Sequence, residues 1–485
     1  MAIELSHASH ADQPRGVHVA VNVPSLATKQ LKIKRYPDGK RKIVCSSNWL
    51  PLFAFFKGTP VVEEFAADRQ ALIIRLAEPA ETKVKTVYGR HYPRRRNNPF
   101  ETLVQVASQT TIDKVFPKDC EYVHVAFTHG RLVLSPLKSK LLQRLRQFMG
   151  LPNKKSVFAV CSSGMDATAA EEAGWTVQAA LDFRPNERRD ISAGRDLTET
   201  GLLNLLANVA PQAAFNEDIY TVDPHYIKRV FGKNTPALMT ISLQCSDFSN
   251  VKSSKAKLAS ELDLSSTLDM AYPGLRMVEV VAPPMVLLEQ VTGFGRSPIG
   301  RLWDLTLRRL GYQTYQAELD PREHGGLTSR NRFFSFATSL PAAFAWPKLQ
   351  PVNTTPLWDT IIKPRLHELR DVTANNAMQE GLKRGFLRCI TPDSCHAPTI
   401  LKSQPRQAKD SVVIKTNETP PRLLWPSEGL LKDLMGATDS FSVDSCATEV
   451  ASQIIGQGVD MPEYRQIMSS ITAHVEESLA FTEAA

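Results

Sequence analysis

Residues 156–185 read SVFAVCSSGMDATAAEEAGWTVQAALDFRP. A short apolar run, SVFAV, enters a turn of small polar residues, an Ala-rich helical segment follows, and a second apolar run ends in Asp-Phe. This is the pattern of a strand, a crossover helix and a second strand. Strands this apolar must be covered on both faces, which a parallel sheet flanked by helices achieves. The alternation continues through ALMTISL (237–243), MVLLEQV (285–291) and RFFSFA (332–337). The fold class predicted is therefore α/β, a doubly wound and mostly parallel sheet. Ligands gather at the carboxyl ends of the strands in such sheets.

Those ends carry chemistry-bearing residues. After the first strand, Ser162, Ser163 and Gly164 are small enough for a ligand to approach the backbone at the start of a helix. After the second, Asp182 can accept hydrogen bonds from a ribose, with Phe183 placed to stack on a base; the bland reading of Asp182 is a helix cap. Asp218 in FNEDIYTVDP (215–224) stands where it could join them. Cys245 follows the strand ALMTISLQ and precedes a Ser- and Lys-rich stretch that reads as a mobile loop. Glu289 ends another apolar strand, and Arg330 and Arg332 stand just before the next. A free cysteine is usually a small buried hydrophobe; this one forms a constellation with a glutamate and two arginines at separate strand ends beside the candidate cofactor pocket.

The seven cysteines are widely spaced and include no Cys-x-x-Cys pair, so free thiols are expected rather than a disulfide framework or zinc ribbon. Cys389, Cys395 and His396 lie close in sequence but lack a fourth ligand, and no metal is predicted. No window is apolar enough to span a bilayer and no basic-then-apolar leader opens the chain, so a cytoplasmic protein without membrane attachment is expected. The net charge of +8 is concentrated: residues 1–150 hold 24 Lys and Arg against 12 Asp and Glu, the rest 34 against 38. A cationic module on a near-neutral body suits a polyanion.

Residues 1–26 read as a polar tail, and 27–150 as a basic β-rich domain. In it, 41–77 and 101–136 repeat one order: strand, apolar turn, Lys-bearing turn, hairpin. That order resembles the swapped-hairpin, AbrB-like DNA-binding modules, and a homodimer through this domain is the competing use. The connecting loop YGRHYPRRRNNP (88–99) offers Arg94, Arg95 and Arg96 to phosphate oxygens. The C-terminal YRQIMSSITAHVEESLAF (464–481) has the apolar spacing of a packed helix.

From about residue 155 onward the chain resembles the DNA cytosine-5 methyltransferases, motif after motif. FAVCSSGMD stands for the Phe-x-Gly-x-Gly cofactor loop, ALDFRP for the ribose-binding acid, QCSDFS for Pro-Cys-Gln-x-Phe-Ser, LLEQVTGF for Glu-Asn-Val, and TSRNRFF for Gln-x-Arg-x-Arg. PRLLWPSEGLLKDLMGATDSF and GQGVDMPEYRQIMSSI resemble the family's closing motifs. The resemblance implies a Rossmann-like methyltransferase domain over 151–337 and 422–485, with a target-recognition region over 338–421. It implies S-adenosylmethionine as cofactor, held by Phe158, Ser162, Ser163, Gly164, Asp182, Phe183, Asp218 and Gln457. It further implies double-stranded DNA as partner, with a flipped cytosine and Ser249 and Lys252 on the loop that closes over it. Cys245 would be the nucleophile, with Glu289, Arg330 and Arg332 around the base. A restriction partner is not indicated either way. Gln244, Ser246, Gln290, Val160, Ser162, Thr328 and Gln457 replace family residues. These departures leave room for RNA, for a modified cofactor, or for a DNA-binding regulator without turnover.

Overall fold

The computed structural model describes residues 22–66, 70–95, 99–137, 139–185, 197–248, 252–262, 264–437 and 439–483. Ser249 and Arg96 lie outside the described residues, as does most of the tail. The chain divides into two compact units, Met1–Gln143 and Arg144–Ala485.

In the first unit the two similar stretches take the same form. Strand Arg41–Ser46, the short helix Leu50–Phe53 and the strands Pro60–Ala66 and Ala71–Leu76 are matched by Phe100–Val106, helix Gln109–Val115, Tyr122–Thr128 and Arg131–Leu137. The leading strands pair antiparallel, Ile43 opposite Val106, and the two hairpins join through Leu134 opposite Leu72. Alternation along these strands sends Ile43, Cys45, Val104 and Val106 inward, where they meet Phe53, Ile112, Phe116 and Phe127 in one core. Burial raises the Cys45 thiol to about 12, which makes it inert packing.

The second unit is built on a seven-stranded sheet: β1 Ser156–Val160, β2 Thr176–Leu181, β3 Ala213–Phe215, β4 Leu238–Ser242, β5 Met285–Val291, β6 Gln313–Leu319 and β7 Arg332–Thr338. Their spatial order is 3-2-1-4-5-7-6. Strands β1 to β5 are mutually parallel; β7 runs antiparallel to β5 and β6. This is the doubly wound, mostly parallel Rossmann-like sheet that the apolar runs predict. β1 is buried at all five residues and β4 at four of five, as strands between two helical layers must be. One apolar layer joins the sheet to the long C-terminal helix through Tyr464, Ile467, Met468 and Ile471, and the other packs Val278, Trp303 and Leu307 against the opposite face.

A smaller four-stranded sheet, Arg370–Asp371, Leu423–Trp425, Val412–Lys415 and Arg388–Ile390, occupies the stretch after β7. It takes its Leu423–Trp425 strand from beyond residue 421. Ile390, Val412, Ile414 and Leu424 belong to the same core as the C-terminal helix. Among the described residues no helix is long and apolar enough to cross a membrane.

Candidate active site

The antiparallel β7 decides the site. Because it runs against β5, its first residue, Arg332, pairs with Val291 at the carboxyl end of β5. Residues 289 and 291 share one face of the strand, so Arg332 reaches diagonally to Glu289. Its Nε donates to Glu289 Oε1 at 2.8 Å, both side chains being almost nine-tenths buried. Glu289 in turn pairs with Ser242, the last residue of β4. Cys245 lies three residues further on, half-buried, in a turn closed by the Phe248 N–H donating to the Cys245 carbonyl at 3.1 Å.

That turn is held from behind by β5 and the residues just after it. The Gln290 amide, 1% exposed, donates to the carbonyls of Leu243 at 2.8 Å and Gln244 at 3.4 Å and accepts the Val291 N–H at 2.7 Å. Gly293 leaves room for the Phe248 carbonyl, which a Cβ there would meet at 2.3 Å. Phe248 packs edge-on against Phe294 at 5.0 Å. Gln244, standing where the family has a proline, uses its N–H on the Met270 sulfur at 3.3 Å.

Arg330 is 2% exposed and spends its guanidinium on the backbone: it donates to the carbonyls of Ile400 at 2.9 Å and Gln457 at 3.0 Å. Burial and the like charge of Arg332 pull its pKa down, while Glu289, Cys245 and Asp460 act in the opposite sense. Its contacts are those of a brace. Gln457 is exposed and contributes its carbonyl to that brace. Thr328 donates to Asp460 at 2.8 Å. Burial raises Asp460 to about 7, against Thr328 and Arg330.

The second group of predicted residues converges at the ends of β1, β2 and β3. Cys161 takes a left-handed φ of 57° and Gly164 a φ of 120°, so the turn after β1 doubles back sharply. Ser162 donates to Asp166 at 2.5 Å and accepts the Gly164 N–H at 3.3 Å, while Asn204 donates to the Ser163 carbonyl at 2.9 Å. Helix α1, Met165–Glu172, starts here. Gly201, in the first turn of α2, Thr200–Asn208, covers Asp182 so closely that a Cβ would lie 2.0 Å from Asp182 Oδ2 and 3.5 Å from the Ser163 Cβ. Asp182 and Phe183 are half-buried. Asp182 is raised to about 7 by burial and then by Asp166, and Asp166 to about 6 by burial. The Cys161 thiol is pushed up by burial and by the charges of Asp182, Asp218 and Asp166, which places it among all three carboxylates. Asp218 accepts the Tyr220 N–H at 3.0 Å.

Phe158 is fully buried, packed edge-on against Phe231 at 5.3 Å and Phe215 at 6.3 Å, so it supports the turn from the core. Sequence reasoning misses Cys161, Asp166 and Gly201; the signal for Asp166 is its place four residues after Ser162 at the start of a helix. Its Oδ2 is buried with no hydrogen-bond partner, an opening for a polar ligand or water. Lys252 puts its ammonium on Asp247 at 2.6 Å and Ser260 at 2.7 Å. Arg94 is exposed; Arg95 pairs with Glu101 at 3.0 Å and lies 4.0 Å over the Tyr92 ring. Cys395 donates to the Thr354 carbonyl at 3.1 Å, and among the described residues no cluster of three or more His, Cys, Asp or Glu could hold a metal ion.

No protein-family model matches the chain, and no curated protein matches its sequence. Among solved structures it is similar to a Spodoptera frugiperda DNMT2 mutant, with 14% identity and a TM-score of 0.49 over 66% of this chain and 99% of that one. The S. pombe Dnmt2 methyltransferase gives 16% identity and a TM-score of 0.47 over 67% and 98%. The Entamoeba histolytica methyltransferase EhMeth gives 13% and 0.48 over 67% and 99%. These are likenesses of fold.

Proposed function

We propose that the protein is an S-adenosylmethionine-dependent methyltransferase acting on carbon 5 of cytosine in DNA through a covalent cysteine adduct. The observation that carries this reading is the pairing of Glu289, bonded to Arg332, with Ser242, the last residue of β4, from which Cys245 follows three residues on in a braced turn. The thiolate adds to carbon 6 of the ring, and the displaced electron pair collects on ring nitrogen 3, where the Glu289 carboxyl supplies a proton or hydrogen bond. Carbon 5 thereby becomes enamine-like and nucleophilic. Arg332 fixes the glutamate, and Arg330 fixes the start of β7 that carries Arg332. After transfer, loss of the carbon 5 proton re-forms the double bond and expels the Cys245 sulfur.

The residues at the ends of β1 to β3 fit the cofactor. The carboxylate of Asp182 suits a ribose diol, Phe183 an adenine face, and the Ser162–Gly164 turn together with the unpartnered Asp166 oxygen suits the polar amino-acid end. When bound, S-adenosylmethionine supplies an electrophilic methyl group.

For the nucleic acid, the N-terminal unit supports the reading. Residues 82–100 contain no Asp or Glu, and Lys83, Lys85, Arg90 and Arg94 are all exposed there. The strand Tyr88–His91 is exposed at every residue, beside Phe100–Val106. This exposed edge strand of a four-stranded sheet suits contact with a phosphate backbone through its cations.

The test is mass spectrometry of nucleosides from DNA incubated with the protein and S-adenosylmethionine, beside Cys245→Ala. A Cys245-dependent gain of 5-methylcytosine is expected. Methyl transfer that survives Cys245→Ala would refute the covalent route; cofactor binding with product on RNA alone would refute the DNA substrate.

A further inference from the structure

The stretch after the nucleophile turn is organised around one carboxylate. Asp247, two residues past Cys245, has a side chain with no exposed surface. Its Oδ2 accepts the Thr267 N–H at 2.6 Å, the Thr267 hydroxyl at 3.0 Å and the Ser266 hydroxyl at 3.5 Å. Its Oδ1 accepts from Lys252 at 2.6 Å and from Ser260 at 3.3 Å. A buried charge without partners would be costly. Here burial works against ionisation, but Lys252 and Thr267 outweigh it and hold the carboxyl below its ordinary value. One side chain thus ties segment 252–267, including the helix α3, Ser254–Leu262, to a turn whose first residue is the thiol.

The tie has a direction. Gln290, Gly293 and Phe294 hold the turn from the sheet side, and Asp247 holds it from the side of segment 252–267. A shift of that segment is passed through Asp247 to a four-residue turn with no slack, because the Phe248 N–H closes it on the Cys245 carbonyl. The contacts of Lys252 make it the counter-charge that keeps Asp247 ionised inside the protein.

We propose that Asp247 is a positioning residue for Cys245: it sets the attack geometry of the thiol and makes that geometry depend on the seating of segment 252–267. The inference rests on the reading of Cys245 as nucleophile. Asp247→Asn keeps the shape and removes the charge; Lys252→Met removes the counter-charge at a side chain that is a quarter exposed. Both are made in the full chain. The measurements are the single-turnover rate of adduct formation on a duplex carrying 5-fluorocytosine, the S-adenosylmethionine dissociation constant, and the unfolding temperature. Loss of positioning slows the adduct by about 10- to 100-fold in Asp247→Asn, since misplacements near 1 Å cost that much, with cofactor affinity within about twofold. Lys252→Met slows it less, and the double variant is no slower than Asp247→Asn, because the two act as one unit.

An adduct rate in Asp247→Asn within about twofold of the parent overturns the inference and leaves the nucleophile assignment standing. A parent chain that forms no adduct overturns the assignment itself. If Asp247→Asn lowers the unfolding temperature and cofactor affinity together, Lys252→Met decides: an unchanged rate there refutes positioning, and a slowed rate at unchanged affinity supports it.

Discussion

Replacing Gln290 by methionine isolates what its amide does. The side chain keeps its length and approximate volume, so packing is little changed, while three hydrogen bonds disappear: the donations to Leu243 at 2.8 Å and Gln244 at 3.4 Å, and the acceptance from Val291 at 2.7 Å. Gln290 is 1% exposed, so water cannot substitute. The Leu243 carbonyl and the Val291 N–H are left without these partners, and each such buried group costs about 1–3 kcal/mol. With partial relaxation the expected loss is about 2–4 kcal/mol, read as a lower urea midpoint at unchanged slope. The same change frees the back of the Cys245 turn, so adduct formation with a 5-fluorocytosine duplex is expected to fall by about 100-fold if the thiol moves by about 1 Å. A stability change below about 0.5 kcal/mol together with an unaltered adduct rate would refute the clamp; surface substitutions routinely show changes that small.

Acidity and salt provide two further expectations. Burial raises Asp166 to about 6, Asp182 and Asp460 to about 7 and Glu463 to about 9, whereas unfolded carboxyls titrate near 4, so above pH 4 these four groups hold more protons in the folded chain than in the unfolded one, while His324, His396 and His474, lowered by burial, act in the opposite sense. The contribution of these carboxyls to stability should therefore decline as pH rises from about 4 through these values, so Asp182→Asn should lose less stability than the parent between about pH 4 and pH 7; urea unfolding of both chains across that range measures the difference, and an identical pH dependence in the two would refute the raised pKa of Asp182. Replacing Lys83, Lys85, Arg90 and Arg94 together by alanine should weaken DNA binding and reduce its logarithmic salt slope by up to about 3–4, at roughly 0.9 for each phosphate no longer neutralised; an unchanged slope would assign the N-terminal unit another role.

Whether a residue's place is legible in the sequence depends on where its partners lie. Strands β1, β2, β4, β5 and β7 are legible because burial on both faces forces continuous apolar runs. β3 is three residues long, and β6, QTYQAEL, is a largely polar edge strand, so neither gives such a run. The same logic separates the site residues. Glu289 and Arg332 stand near strand ends, where the topology brings them together, and Cys245 follows the end of the β4 strand that pairs with Glu289. Lys252 and Arg330 are cations whose partners, Asp247 and the Ile400 and Gln457 carbonyls, are chosen by tertiary packing. Lys252 is expected, from the resemblance, to contact nucleic acid on a loop that closes over a flipped base; in the structure its ammonium bridges Asp247 and Ser260, and the residues after it form α3.

The departures from the methyltransferase motifs that the sequence resembles bear on whether the proposed site still has work to do. Four of the seven replaced residues, Gln244, Gln290, Thr328 and Ser162, have partners suited to their new chemistry. Gln244 has an N–H that proline lacks, and Met270 accepts it. Gln290 satisfies two carbonyls and one N–H. Thr328 reaches Asp460, and Ser162 bridges Asp166 and the Gly164 N–H. These are compensated exchanges, unlike the unsatisfied gaps that idle drift would leave. Meanwhile the site keeps Glu289, Arg330, Arg332, Asp460 and Glu463 all below a tenth exposed or nearly so. Replacing a buried ion pair such as Glu289–Arg332 with well-packed apolar residues is often neutral or stabilising by about 1–4 kcal/mol. A scaffold that only bound DNA would be at least as stable without them. Their cost is offset if the glutamate must meet a ring nitrogen beside a thiol, which is what the reading of Cys245 as nucleophile requires.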